Sequence, residues 1–208
     1  MVEFQCRCGQ VRGSVTSVTP WTVNRVICYC DDCQAFAHHL GRAYLLNAQG
    51  GSDIVQFPPA SLTIQQGQNE VAGLRLTPKG LIRWHTTCCN SPIGNTVGPA
   101  IPFVGVLAAA FDAGGQRRDE MFGKAAGAIN GQYAIGGAPP GSKGMNVGLL
   151  MGTIAKILSW RLFGRSWPNP FFDRATGKPL RPVATLTDEQ RQDLRRFCGP
   201  NPEVAPRA

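Results

Sequence analysis

Seven of the eight cysteines fall in three tight clusters: Cys6-Arg7-Cys8-Gly9, Cys28-Tyr29-Cys30-Asp31-Asp32-Cys33, and His85-Thr86-Thr87-Cys88-Cys89. Zinc takes thiolate sulfur at about 2.3 Å in a tetrahedral shell, so its ligands must converge from short, sharply turned segments. Cys-x-Cys and Cys-x-x-Cys turns do this by presenting both sulfurs on one side, and Gly9 supplies backbone freedom for the first of them. Cys6 and Cys8 form one half of a site, which the Cys88/Cys89 region completes by returning across the fold. Cys28, Cys30 and Cys33 form a separate local trio. Three protein ligands leave a fourth coordination position for water or a substrate atom, the layout of a catalytic zinc. Completion of the trio by His38 or His39, close by in the chain, would close that position. Two zinc ions are therefore expected, with Cys28, Cys30 and Cys33 as the open site. Cys198 stands apart as an incidental thiol.

A disulfide framework fits poorly, because disulfide-stapled domains are much shorter and carry cysteines throughout. The opening residues Met1-Val2-Glu3-Phe4-Gln5-Cys6 have neither a basic nor an apolar export region. The expected compartment is the reducing cytoplasm, where clustered cysteines serve metal or catalysis. The chain has 208 residues, 43% of them hydrophobic, enough for a packed core. Its formal charge of +8 is uneven: residues 1–114 hold seven Lys/Arg against six Asp/Glu, and residues 115–208 hold fourteen against seven. A basic half favours encounter with acidic partners.

Positioning elements follow from pattern. Residues 10–18, 21–27, 41–46, 71–76, 81–85 and 101–109 are rich in Val, Ile and Thr and read as strands. Gly50-Gly51-Ser52-Asp53 and Thr77-Pro78-Lys79-Gly80 read as turns. Residues 31–40 read as a helix with Asp31 and Asp32 at its positive end. We therefore expect a zinc-binding, mainly β domain over residues 1–112. A basic, loop-rich and partly helical extension follows over 113–208. In the extension, Thr187-Asp188-Glu189-Gln190 is a capping box opening a helix to about Phe197, ended by Gly199-Pro200.

The most hydrophobic stretch is 145–164. Val147, Leu150, Met151, Ile154, Ile157 and Leu158 recur at helical spacing, with Thr153, Lys156 and Ser159 on the other side. A membrane span would place Lys156 near the bilayer centre at a cost of about 2.5–3.5 kcal/mol. The apolar face is expected to pack on the domain. The second reading is peripheral membrane contact through 145–167, with Lys156, Arg161 and Arg165 near headgroups and Trp160 and Trp167 at the boundary.

At its cysteine clusters the chain resembles the glutathione-dependent formaldehyde-activating enzyme (GFA) family, which includes centromere protein V-like domains. That family shows Cys-x-Cys, then Cys-x-Cys-x-x-Cys, then Cys-x-x-Cys-Gly. The first two motifs stand here as Cys6-Arg7-Cys8 and Cys28-Tyr29-Cys30-Asp31-Asp32-Cys33, and the third is partly matched by Cys89-Asn90-Ser91-Pro92-Ile93. The resemblance covers about residues 1–112. It departs at Thr86, which stands where the family has a cysteine three residues before Cys89, leaving His85, Cys88 and Cys89 as alternative ligands. The basic extension marks a divergent subgroup.

The resemblance implies a mainly β zinc fold shared with the Rab-exchange chaperone. It also implies carbon–sulfur lyase chemistry that joins glutathione and formaldehyde as S-hydroxymethylglutathione. On that reading a small, glutathione-like thiol is the substrate. Arg25 or Arg42 could hold its carboxylate bidentately, while Asp31 and Asp32 cap the helix or orient ligands. The alternative is a non-enzymatic, zinc-stabilised binding module whose basic segment contacts a protein or membrane. Few aromatics are interleaved with the basic residues, so no specific nucleic acid is expected.

Overall fold

Short strands, several of them buried along nearly their whole length, build two sheets. A computed structural model describes residues 1–111, 118–143 and 146–200. The small antiparallel sheet has the order β1 (Val2–Gln5), β2 (Arg12–Val15), β5 (Leu62–Gln66). The large sheet runs β10 (Gly127–Ile129), β3 (Asn24–Cys28), β4 (Ser52–Phe57), β9 (Val104–Leu107), β8 (Pro92–Thr96), β7 (Ile82–Thr86), β6 (Val71–Arg75), β11 (Val183–Thr185). Its inner pairings are antiparallel, and the two outermost, β10 on β3 and β11 on β6, are parallel. The segment after residue 112 thus supplies both edge strands of the sheet that carries the cysteines.

The main core lies between the sheets. Phe4, Val15 and Ile64 of the small sheet meet Val55, Phe57, Trp84 and Val106 of the large one. Trp84 is fully buried, donates from Nε1 to Thr96 Oγ1 at 2.9 Å, and stacks on Phe171 at 4.7 Å between ring centroids. On the opposite face sit α1 (Asp31–His39) and α4 (Asp188–Arg195), where Phe36 and Leu40 pack on Leu74, Leu76 and Leu186. A one-turn helix, α2 (Arg118–Phe122), inserts Phe122 against Phe111.

The mainly β expectation holds, with corrections inside it. Residues 41–46 are not a strand: Gly41 takes φ +65° as it ends α1, and the chain then makes a 3-10 turn at Ala43–Leu45. β4 starts directly at Ser52, inside what reads as a turn, and buries Ser52 against the end of β3. β1, β5 and β8 escape the sequence pattern; β8 is Pro-Ile-Gly-Asn-Thr, buried along its whole length despite small and polar residues. The Thr187/Gln190 capping box forms as read.

The long helix α3 (Val147–Leu162) forms, capped by Asn146 Oδ1 accepting from the Gly148 and Leu149 amides. Its orientation reverses the expectation. Thr153, Lys156 and Trp160 face the domain, whereas Val147, Met151, Ile154 and Leu158 of the expected stripe face outward together with Leu162; Leu150 and Ile157 are half-buried. Asn24 Nδ2 donates to Thr153 Oγ1 at 2.8 Å, and Lys156 Nζ donates to the Val23 carbonyl. These polar bonds, with Trp160 and Leu149 packed beside them, seat the helix. No helix among the described residues is long and apolar enough to cross a membrane.

Candidate metal centre

The first group gathers two turns. After β1 the chain folds back, with Gly9 N donating to the Cys6 carbonyl at 2.9 Å, Gly9 at φ +75°, and Val11 N donating to Cys6 Sγ at 3.2 Å. Between β7 and β8, Asn90 takes φ +53° and its amide donates to the Thr86 carbonyl. The two turns are joined where Arg7 N donates to Ser91 Oγ at 3.0 Å. The sulfurs of Cys6, Cys8, Cys88 and Cys89 all lie within 4.8 Å of one another. Neighbouring separations are 3.5 Å (Cys6–Cys8), 3.4 Å (Cys8–Cys88) and 3.8 Å (Cys88–Cys89).

Thr86 and His85 stay outside this group. Thr86 Oγ1 accepts from Ser91 N at 3.0 Å and lies 3.4 Å from Cys89 Sγ, so it shapes the turn and supports one sulfur. His85 points to the other face of the strand, edge-on to Phe36, as strand alternation requires.

The second group is local. Cys28 ends β3, Cys30 caps α1 and accepts from Cys33 N at 3.3 Å, and Cys33 lies in the first turn of that helix. Cys30–Cys33 is 3.0 Å and Cys28–Cys33 3.8 Å between sulfurs. Among the described residues no other Cys, His, Asp or Glu joins these three. His38 stacks on Phe197 instead, and His39 is exposed at the helix end.

Tetrahedral bonds of about 2.3 Å set neighbouring sulfurs about 3.8 Å apart. The separations run from 3.0 to 3.9 Å, at or somewhat below that value, and thiolate donors suit zinc or other thiophilic ions. Both groups could therefore hold a metal ion.

Electrostatics favour anionic sulfur at each. Cys33 is held well below the usual thiol range, chiefly by hydrogen bonds from Cys28 and Cys30, with Arg83 adding to them against the effect of burial. The helix N-terminus acts in the same direction. Arg83 itself is buried at 3% exposure, 3.6 Å from Cys33 Sγ through Nη1 and 3.9 Å from Asp32 Oδ2 through Nη2. In the four-sulfur group, burial raises Cys89, but hydrogen bonds from Ser91 and Thr86 outweigh it and bring the thiol down to about 5. Burial and the neighbouring thiols push Cys88 up to about 12.

The arginines divide. Arg25 is consumed structurally: it grips Asp53 bidentately at 2.9 and 2.8 Å, and reaches Asp119 and the Gly123 carbonyl. Arg42 donates to the Cys89 carbonyl and, with Arg7, Tyr44 and Ser91, lines a pocket of about 140 Å³. Leu45, Pro92 and Leu107 line both this pocket and a narrower recess that reaches Cys33, Arg83 and Asn95. Asn95 is buried, and its Oδ1 has no hydrogen-bond partner among the described residues.

Asp31 and Asp32 pair with Arg195 of α4 at 2.5 and 2.7 Å, so they tie the chain's later segment to the trio as well as opening α1. Three supporting residues escape the sequence reading. Arg83 is one; its signal is a charge between Ile82 and Trp84 on an apolar strand. Asn130 Nδ2 donates to Cys28 Sγ at 3.6 Å. Gln34, fully buried, donates to the Tyr29 and Tyr133 carbonyls and accepts from Gly199 N.

Two sheets, few helices and two sulfur clusters define a mainly β protein whose cysteine groups could hold metal ions. Residues 1–185 match the family described as "Family of unknown function (DUF6151)", and the chain belongs to that family. No curated protein matches. Among solved structures, a crystal structure of a Rhodobacter sphaeroides protein is similar over 56% of this chain and 93% of its own. Its identity is 16% and its TM-score 0.38, too low to carry an argument.

Proposed function

We propose that the protein is a zinc-dependent enzyme of carbon–sulfur bond chemistry, acting on a small anionic thiol of the glutathione type. The single observation that carries this reading is that the Arg7/Arg42 pocket and the recess at Cys33 share a wall of Leu45, Pro92 and Leu107. Cationic groups suited to a carboxylate lie on one side of that wall and Cys33, a member of the three-sulfur group, on the other. The Cys-x-Cys and Cys-x-Cys-x-x-Cys motifs support it through their likeness to the GFA family.

In this reading Cys6, Cys8, Cys88 and Cys89 would hold a structural zinc, and Cys28, Cys30 and Cys33 would hold a second. A zinc ion there would supply Lewis acidity that lowers the pKa of a thiol beside it. Arg42 and Arg7 orient the ligand's carboxylate, and Arg83 offsets the negative charge of the trio. The substrate sulfur forms its bond to a small carbonyl carbon, the carbonyl π pair moves to oxygen, and that oxygen takes up the thiol's proton. The reverse reaction breaks the same carbon–sulfur bond. Buried walls of Phe36, Ile54 and Leu107 limit water at the reacting end.

The test is zinc content followed by cobalt substitution. Two metals per chain are expected, with the cobalt spectrum of one site shifting on addition of glutathione and Arg42→Ala weakening that response. Two sites whose spectra both ignore thiols would defeat the enzyme reading.

A further inference from the structure

Helix α3 turns its apolar stripe to solvent. Val147, Met151, Ile154, Leu158 and Leu162 are spaced by four, three, four and four residues, which is one face of a helix. Their exposure runs from 40% at Ile154 to 84% at Leu162, and Phe163 continues the stripe at 80%. At about 1.5 Å per residue the sixteen-residue helix is roughly 24 Å long. Contiguous exposed apolar stripes of this kind mark protein or membrane interaction sites. At its C-terminal end Trp21, 87% exposed, shares a groove of about 420 Å³ with Trp160 and Phe163.

Charge decides what this face meets. Residues 121–172 contain no Asp or Glu; Lys156 is turned inward onto the Val23 carbonyl and Arg165 reaches Ser61, which leaves Lys124, Lys143 and Arg161 as the exposed cations of this segment. Arg161 lies two turns along from Ile154, so two copies meeting through the stripe would bring its charge against a like one. A layer of anionic headgroups over acyl chains offers complementary charge and an apolar phase together. Exposed Trp and Phe at one end suit the boundary between the two.

We propose that α3 is an interfacial helix that seats the protein on anionic lipid surfaces, lying in the plane of the membrane with Val147, Met151, Ile154, Leu158 and Leu162 inserted. The inward side explains how this is compatible with folding, since Thr153 and Lys156 are already bonded to the β3 region. Leu149, on the inner side, packs on the cluster that contains Cys28 and Cys33. Docking therefore leaves α3 between the lipid surface and the sulfur trio. The proposal is independent of the metal chemistry.

Flotation of the full chain with phosphatidylcholine vesicles, with and without phosphatidylserine, tests it. The protein floats with the phosphatidylserine vesicles, and added salt reduces the bound fraction. Replacing Ile154 and Leu158 by Asp lowers partitioning by about tenfold or more, because each loses a buried aliphatic side chain and gains a charge. Both residues face solvent, so circular dichroism stays unchanged; should the double variant misfold, Leu162→Ser with Phe163→Ser gives the same readout from the helix end. Failure of the intact protein to float, or equal flotation of a folded variant, overturns the proposal. So does a wild-type dimer in sedimentation that the same substitutions dissociate, since the stripe would then be a protein interface.

Discussion

Replacing Arg83 by Met tests the assignment of the trio as a metal site. The guanidinium is buried and 3.6 Å from Cys33 Sγ. At that separation a unit pair interacts by roughly 4–5 kcal/mol at an effective dielectric near 20. Methionine fills much of the same volume, and the cost of burying the cation is common to the metal-free and metal-bound protein. Part of the attraction is already present in the metal-free thiolates, so the expected loss of zinc affinity is about 2 kcal/mol, a factor of about 30, within the roughly 10–100-fold range for groups that support metal ligands from outside.

Competition against a zinc chelator should then show two releases. The zinc of the trio should leave at lower chelator concentration than in the wild type, while the four-sulfur site is unchanged. Arg83→Lys should restore part of the loss, because it keeps the charge but not the fork or the stacking over Phe36. Equal weakening at both sites would mean only a general loss of stability. An unchanged profile would mean that the arginine does not act on the trio, and the electrostatic reasoning would be refuted.

Cys88→Ser and Cys89→Ser should each lower zinc content by one and reduce the melting temperature by at least about 10 °C, whereas His85→Ala should leave zinc content intact. Mass spectrometry under native conditions reads both outcomes. Arg25→Met removes the bidentate partner of Asp53, leaving it Arg118 at 3.7 Å, and should cost about 2 kcal/mol, roughly 4–8 °C in thermal melting. A variant melting as the wild type would show that Asp53 is satisfied elsewhere. Burial, and then the nearby His39, lowers the pKa of His85, so the fold favours its neutral ring. That stability is complete above the ordinary imidazole range and falls as pH drops through the lowered value; the gap in melting temperature between wild type and His85→Gln should therefore narrow on acidification. A gap independent of pH would contradict it.

The sites were legible to the extent that they are local. Cys28, Cys30 and Cys33 span six residues, so one strand end and one helix start suffice to gather them. Their spacing alone announces a ligand group. The half-site Cys6-x-Cys8 and the Thr187/Gln190 cap are equally short-range. What could not be read is what crosses the sheet. Arg83 lies fifty positions from Cys33, and Asn130 lies 102 from Cys28. Sheet register fixes both contacts. The choice of Cys88 and Cys89 over His85 follows likewise from alternation along β7 and the left-handed turn at Asn90, neither visible in residue types.

Sequence by itself determined the sulfur content, its grouping into turns, the mainly β character and the helical period of 147–162. These depend on residue chemistry and on neighbours within a few positions. Only the tertiary structure decided which turns meet and which way α3 faces. Periodicity specifies which side chains share a face of a helix; the direction of that face depends on partners as distant as Asn24, 129 positions from Thr153. Here those partners are polar, and they leave the apolar side outward.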